Sequence, residues 1–173
     1  MCQTDGMLEW SVQQFADGPA LRLAASDLGV RAIEFAKGER DVRPIAGERN
    51  DSNPLLIEAV RQLRAYFDGS LREFQLPLDF EGTDFQKLVW HQLTTIPYGE
   101  TRSYSQIAGA IGRPRAVRAV GAANGANPVA IVVPCHRVIG TSGKLVGYGG
   151  GLPLKQRLLQ LEGAVPLALR YGE

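Results

Sequence analysis

The sequence is poor in the residues that build disulfide and metal sites. Of 173 residues only two are cysteines, Cys2 and Cys135, and only two are histidines, His91 and His136. A secreted disulfide framework carries more cysteines than this. Cys2 stands at a chain end, where a bridge to Cys135 is not expected. With no Cys-x-x-Cys pair, the metal expectation is none. No apolar run reaches bilayer-spanning length, and the opening residues, with Asp5 and Glu9, lack a signal-peptide pattern. A cytoplasmic location and no membrane contact are therefore expected. An excess of one charge is also lacking: the formal net charge is +1, which argues neither for nor against nucleic acid. There is no internal repeat and no low-complexity segment. What is there, 45% apolar and 21% charged residues, suits a globular chain able to form one large domain or two small ones.

The first half reads as mixed α/β. Leu8, Trp10 and Val12 alternate, as do Leu21, Leu23 and Ala25, and Ile33 and Phe35 continue the pattern; period two predicts strands with one buried face. Ser52-Asn53-Pro54 predicts a helix start. Leu56, Val60, Leu63 and Phe67 follow at helical spacing, and Asp68-Gly69 predicts the end. Phe74, Leu76 and Leu78 predict a short strand. A linker is expected near residues 77–83, dividing an α/β domain (1–80) from a second domain (81–173).

The second half changes character. Thr83 with Gln86 is a capping box ahead of Phe85, Leu88, Val89, Leu93 and Ile96. Ser103 with Gln106 is another, opening a short helix with Ile107, Ala108 and Ile111 that Gly112 stops. Pro114 is expected to begin the next helix, which runs to about Asn124 and is rich in small residues. The two helices read as helix-turn-helix. Arg113, Arg115 and Arg118 cluster there, a local phosphate-binding pattern in a nearly neutral chain. Val129–Val133 is an apolar run expected to be buried and extended. It leads into Pro134-Cys135-His136-Arg137. A glycine-punctuated loop follows, and Pro153 opens a last helix with Leu154, Leu158 and Leu161 inward, ending at Glu162-Gly163.

A thiol attacks only as thiolate, and an unperturbed cysteine near ~8.5 holds little of it at neutral pH. His136 adjoins Cys135 and is a candidate base if the two make contact. It then needs a carboxylate on its other nitrogen, and Glu162 is a candidate. Spacing alone leaves a second reading open, with Cys135 as a small buried hydrophobe after an apolar run. Tyr104 likewise reads as a core aromatic, Arg118 as a solvated helix residue, Glu162 as a helix end, and Asn127-Pro128 as an ordinary turn pair. Lys155 and His91 are expected to be structural or solvent-facing.

Pro134-Cys135-His136-Arg137, preceded by Asn127-Pro128 and Arg118-Ala119-Val120-Gly121, resembles the O6-alkylguanine-DNA alkyltransferase (methylated-DNA–protein-cysteine methyltransferase) family. The resemblance covers residues 83–163 and includes Tyr98-Gly99-Glu100, Ser103-Tyr104, Gly143, Tyr148, Gly150-Gly151-Leu152, Lys155 and Glu162-Gly163. It implies a small ribonuclease-H-like α/β N-terminal domain, mainly structural, followed by a mostly helical domain with a winged helix-turn-helix. It also implies direct-reversal repair, with the base flipped from the duplex and the alkyl group transferred irreversibly to Cys135 in one turnover. The implied catalytic residues are Cys135, His136, Glu162 and Asn127. Tyr104 and backbone groups at Val138 and Gly149 would meet the base. Where the family often has serine, this chain has Gly149. Arg118 would fill the gap left by the flipped base, while Ser105, Arg113 and Thr141 would touch the DNA backbone. The implied partner is duplex DNA containing O6-alkylguanine; O4-alkylthymine and cooperative assembly on DNA stay open. No cofactor is implied, and a monomer is expected. Ala130, where some relatives carry proline, and Val146 would shape the pocket rim.

Three other readings make different predictions. A non-repairing relative would carry another residue, typically tryptophan, in place of Cys135. A cysteine hydrolase would turn over repeatedly and usually has its Cys and His far apart in sequence. A redox-sensing helix-turn-helix regulator would have a specific operator and a dimerisation helix, and none is obvious.

Overall fold

A computed structural model describes residues 7–36 and 46–164; Cys2 and Asp5 lie outside the described residues. The chain divides into two compact units, Met1–Glu81 and Gly82–Glu173. Among the described residues no helix is long and apolar enough to cross a membrane.

The first unit is a sheet with one helix. Strands β1 (Glu9–Gln14), β2 (Ala20–Ser26), β3 (Gly29–Phe35) and β4 (Glu48–Arg49) lie in the order β3-β2-β1-β4. The β1–β2 and β2–β3 pairs are antiparallel, and β1–β4 is parallel. Helix α1 (Pro54–Phe67) starts where the sequence predicts, with the Asn53 side chain accepting from the N–H groups of Leu55 and Leu56. Such a cap satisfies donors the first turn cannot pair internally.

Three details of this unit differ from the sequence pattern. In β1 the buried residue is Ser11, not Trp10 or Val12. Ser11 pairs with Leu23, which pairs with Ile33, so all three share one face, and strand register decides the face. Trp10 instead lies against the Arg49 guanidinium, 5.8 Å from its ring centroid. In α1 the buried residues are Leu56, Ala59, Gln62, Leu63 and Tyr66, so Val60 and Phe67 are displaced from the buried face. Third, residues 74–78 form no strand, only an isolated bridge from Leu78 to Val30. Buried Gln62 takes the place of a strand partner: its amide donates to the Gln75 carbonyl (3.0 Å) and accepts from the Gln75 N–H (2.8 Å).

The second unit is helical. Helices α2 (Asp84–Leu93), α3 (Tyr104–Ala110), α4 (Val117–Gly125) and α5 (Leu152–Leu161) are joined by a two-stranded parallel sheet of β5 (Arg102–Ser103) and β6 (Val138–Ile139). Both capping boxes are present, Thr83 with Gln86 and Ser103 with Gln106. On α2 the inward residues are Val89, Trp90 and Leu93, while Leu88 is exposed. Trp90 donates from Nε1 to the Ala123 carbonyl at 2.8 Å and so fixes the end of α4 that leads into Asn127. Helix α4 begins at Val117 rather than Pro114. Pro114 sits instead in a turn closed by the Ala116 N–H on the Arg113 carbonyl (2.8 Å).

Candidate active site

Three backbone segments converge on Cys135. The first is Val129–Val133, which is buried as expected, apart from half-buried Val132, but not extended. It folds into a tight turn in which the Val132 N–H meets the Ala130 carbonyl and the Val133 N–H meets the Val129 carbonyl, each at 2.9 Å. Ile131 at its apex has φ +72° and no exposure. This left-handed region is costly for a β-branched residue, so the surroundings must hold it there. Asn127 does so from both ends: its Nδ2 donates to the Val133 carbonyl (2.8 Å) and its Oδ1 accepts from the Val129 N–H (3.0 Å). Cys135 then opens a single 3-10 turn, Cys135–Arg137, with a free and buried thiol. Burial pushes the thiol upward, and hydrogen bonding from Asn127 and the charge of Lys155 oppose the rise.

The same turn places His136 and Arg137 against the second segment, the end of α5. His136 is fully buried, and its Nε2 lies 2.7 Å from Glu162 Oε1. An ionised carboxylate only accepts, so Nε2 carries the proton and Nδ1 is left with a lone pair. Nδ1 has no hydrogen-bond partner among the described residues. Burial holds His136 below its ordinary value; Glu162 opposes this, while Arg137 and Lys155 add to it. The ring is therefore neutral near pH 7 and basic at Nδ1.

Glu162 is shared. Arg137 donates to it twice, from Nε (2.8 Å) and from a terminal nitrogen (3.0 Å), and to the Ile96 carbonyl at 2.6 Å. Burial pushes Glu162 up, but hydrogen bonds and charge from His136 and Arg137 outweigh it and bring the carboxyl to about 2. The Pro97-Tyr98-Gly99 turn seals this end. Tyr98 donates to the Leu161 carbonyl at 3.1 Å. Gly99 has φ +80°, and a Cβ there would lie 3.0 Å from the Glu162 carbonyl, so only glycine fits without strain.

The third segment is the loop from Gly140 to Gly151. Its Val146 carbonyl lies 3.5 Å from the half-buried Tyr104 hydroxyl at the start of α3. Burial and then the neighbouring Cys135 charge raise Tyr104. At Gly149 a Cβ would meet nothing within 4 Å, so the serine common in the family would fit, and glycine is not a steric demand here. Ser105, Arg113, Arg118 and Thr141 are exposed, as are Ala119, Ala122 and Gly125 on α4.

Two residues lie deeper in the site than the sequence pattern suggests. Arg137 belongs to the quoted four-residue motif, but only the fold shows it gripping Glu162. Lys155, expected as structural or solvent-facing, is fully buried and bonded to the Val138, Val146 and Gly147 carbonyls. On α5, Lys155, Gln156, Leu158 and Leu159 are buried, and Leu154 and Leu161 are only half-buried. Alternation of apolar residues cannot locate a lysine that faces inward.

The fold and site together define a two-unit α/β protein with a buried thiol, imidazole and carboxylate beside a helix-turn-helix pair. Residues 10–80 match the family described as 6-O-methylguanine DNA methyltransferase, ribonuclease-like domain, and residues 84–164 match its DNA binding domain. A methylated-DNA–protein-cysteine methyltransferase of Methanosarcina barkeri is 53% identical over 145 residues, covering 84% of this chain and 90% of that one. Another, from Mycobacterium tuberculosis, is 67% identical over 104 residues, 60% of this chain and 63% of that one. The crystal structure of the M. tuberculosis O6-methylguanine methyltransferase superposes with a TM-score of 0.81 at 46% identity, covering 93% of this chain and 96% of that one. A structure of the same organism's enzyme in complex with DNA gives 0.80 at 47% identity, over 90% and 93% of the two chains. The chain belongs to the 6-O-methylguanine DNA methyltransferase family.

Proposed function

We propose that this chain is a methylated-DNA–protein-cysteine methyltransferase that repairs O6-alkylguanine in duplex DNA by direct reversal. The observation that carries the reading is the buried free thiol of Cys135 beside a neutral His136 whose proton-bearing nitrogen is held by Glu162. His136 Nδ1, through a water, takes the thiol proton. The sulfur attacks the alkyl carbon in line, the S–C bond forms as the C–O6 bond breaks, and the electron pair leaves on guanine. Tyr104 donates toward the departing ring as its charge grows. The guanine then takes a proton and is restored. The thioether on Cys135 is not readily displaced by water, so each molecule reacts once. Asn127 positions the acceptor, and the backbone at Val138 and Gly149 reads the base edge. No metal or cofactor enters the reaction.

The target carbon lies inside the duplex, so the nucleotide must be extruded. Helix α4 enters the minor groove, where its outward face of small residues is thin enough to fit. Arg118 fills the vacated space, and Ser105, Arg113 and Thr141 hold phosphates without reading sequence. The second unit thus carries DNA binding and alkyl transfer, and the first is mainly structural. The protein acts as a cytoplasmic monomer.

Intact-protein mass after incubation with duplex DNA bearing O6-methylguanine tests this directly. The expected result is a single, irreversible CH2 addition that maps to the Cys135 peptide. No adduct, or repeated turnover without one, would sink the proposal.

Arg118→Ala is expected to slow reaction on duplex DNA by ~10-fold while leaving reaction with free O6-benzylguanine near wild type, because only the duplex needs the gap filled. Equal slowing on both substrates would remove Arg118 from that role.

A further inference from the structure

Lys155 takes no part in the relay, yet it is among the most enclosed residues of the second unit. It lies in the first turn of α5, with no exposure. Lysine is almost never fully buried unless paired, and its three hydrogen bonds here go to neutral carbonyls: Val138 at 2.6 Å, Val146 at 2.9 Å and Gly147 at 3.5 Å. These carbonyls belong to the two segments that flank the thiol. Val138 follows the Cys135 turn, and its carbonyl is the one assigned to the base edge. Val146 and Gly147 lie in the glycine loop, and the Val146 carbonyl is also within reach of the Tyr104 hydroxyl. One ammonium therefore ties together the segment after the nucleophile, the loop facing it and, through a shared carbonyl, the Tyr104 donor.

The charge balance points the same way. Burial brings Lys155 down to about 8, and the charge of Cys135 is what opposes the fall. Cys135 is in turn held down by Lys155. The other titratable groups facing this pair are His136 of the 3-10 turn and Tyr104 of α3. Arg137 and Glu162 lie beyond His136 and pair with each other. Arg157, on the same helix as Lys155, is exposed.

We propose that Lys155 is the positioning residue of the alkyl-acceptor pocket: its ammonium fixes the Val138, Val146 and Gly147 carbonyls around the target base and is the counter-charge for the Cys135 thiolate. The carbonyl half rests on the alkyl-transfer reading, while the counter-charge half is independent of it. A catalytic proton transfer is not assigned to Lys155.

The test compares wild type, Lys155→Met and Lys155→Arg in two assays. The pH dependence of Cys135 alkylation by iodoacetamide reads the thiol midpoint. Single-turnover reaction with free O6-benzylguanine reads the pocket. In Lys155→Met the thiol midpoint is expected to rise by about one pH unit, leaving ~10-fold less thiolate at neutral pH. The O6-benzylguanine rate is expected to fall further than the thiolate does, because the carbonyls are also released. Lys155→Arg restores most of the thiol midpoint. An unchanged midpoint in Lys155→Met overturns the counter-charge, and a rate loss no larger than the thiolate loss overturns the positioning. Should Lys155→Met fail to fold, the wild-type protein decides the matter by NMR titration of the lysine. Capping Cys135 with iodoacetamide is expected to lower the Lys155 midpoint, and an identical midpoint in capped and free protein overturns the coupling. Wild type that reacts with iodoacetamide but not with O6-benzylguanine overturns the alkyl-transfer reading instead, and the counter-charge is then judged on the thiol midpoint alone.

Discussion

Glu162→Gln is expected to slow alkyl transfer by ~10²- to 10³-fold, the scale of a disabled general base, and to cost about 3–5 kcal/mol of stability, the scale of a broken buried ion pair. Glutamine keeps the shape of the side chain but not its charge. Arg137, with its guanidinium bound to Glu162 at 2.8 and 3.0 Å and almost no exposure, loses its counter-charge. The new amide NH2 also turns one acceptor into a donor facing donors. At His136 the loss is of basicity, since Glu162 is what raises the imidazole against burial and its cationic neighbours. Urea unfolding reads the first effect and single-turnover rates read the second. Wild-type values for both would rule out the shared-carboxylate arrangement.

The same carboxyl sets an acid limb in the stability profile. Its folded value of about 2 lies below the ordinary 4.5. The group therefore contributes stability that is full above pH 4.5 and lost as pH falls from 4.5 toward 2, by about 3 kcal/mol. His136, also held below its ordinary 6.5, adds a loss of the same sign as pH drops below 6.5. In Glu162→Gln the limb between pH 4.5 and 2 should flatten.

Local signals in this chain were legible where a side chain and its backbone partner lie within a few residues. Asn53, the Thr83–Gln86 box and the Ser103–Gln106 box start helices where the sequence places them, because capping is a short-range hydrogen-bond problem. Signals that depend on a distant partner were not. Ser11 is the buried residue of β1 because of what β2 and β3 place beside it. The 74–78 segment alternates like a strand, yet a glutamine 13 residues upstream of Gln75 takes its hydrogen bonds. Val129–Val133 has the composition of a buried strand, and composition does not encode that Asn127 will bend it. Within the site, the sequence places Cys135 and His136 side by side and Glu162 at a helix end. It does not place the Arg137 guanidinium on Glu162 or the Lys155 ammonium under the glycine loop. Polar groups of that kind are bound by carbonyls and carboxylates 8 to 41 residues away, and no local periodicity records them.

Asn127→Ala is expected to slow alkyl transfer by ~100-fold, the cost of moving a reacting atom by about an ångström, and to destabilise the fold by about 2–3 kcal/mol, two part-buried hydrogen bonds lost with their partners left unpaired. Ile131 at φ +72° has every reason to leave that conformation. What keeps it there is a turn whose two ends are tied to one amide, at the Val129 N–H and the Val133 carbonyl. Two residues beyond Val133 is the thiol, whose own N–H bonds the Val133 carbonyl at 2.8 Å. Relaxation of Ile131 is thus carried directly into the position of Cys135. The variant also loses the Asn127 hydrogen bond that opposes the effect of burial on the thiol, so its iodoacetamide midpoint should move up. Asn127→Asp separates the two contributions. It keeps the acceptor for the Val129 N–H, loses the donor to Val133, and sets a carboxylate beside the thiol, so its midpoint should rise further than that of Asn127→Ala. A midpoint lower in Asn127→Asp than in wild type would mean that the amide does not face the sulfur, and that Asn127 acts on the backbone alone.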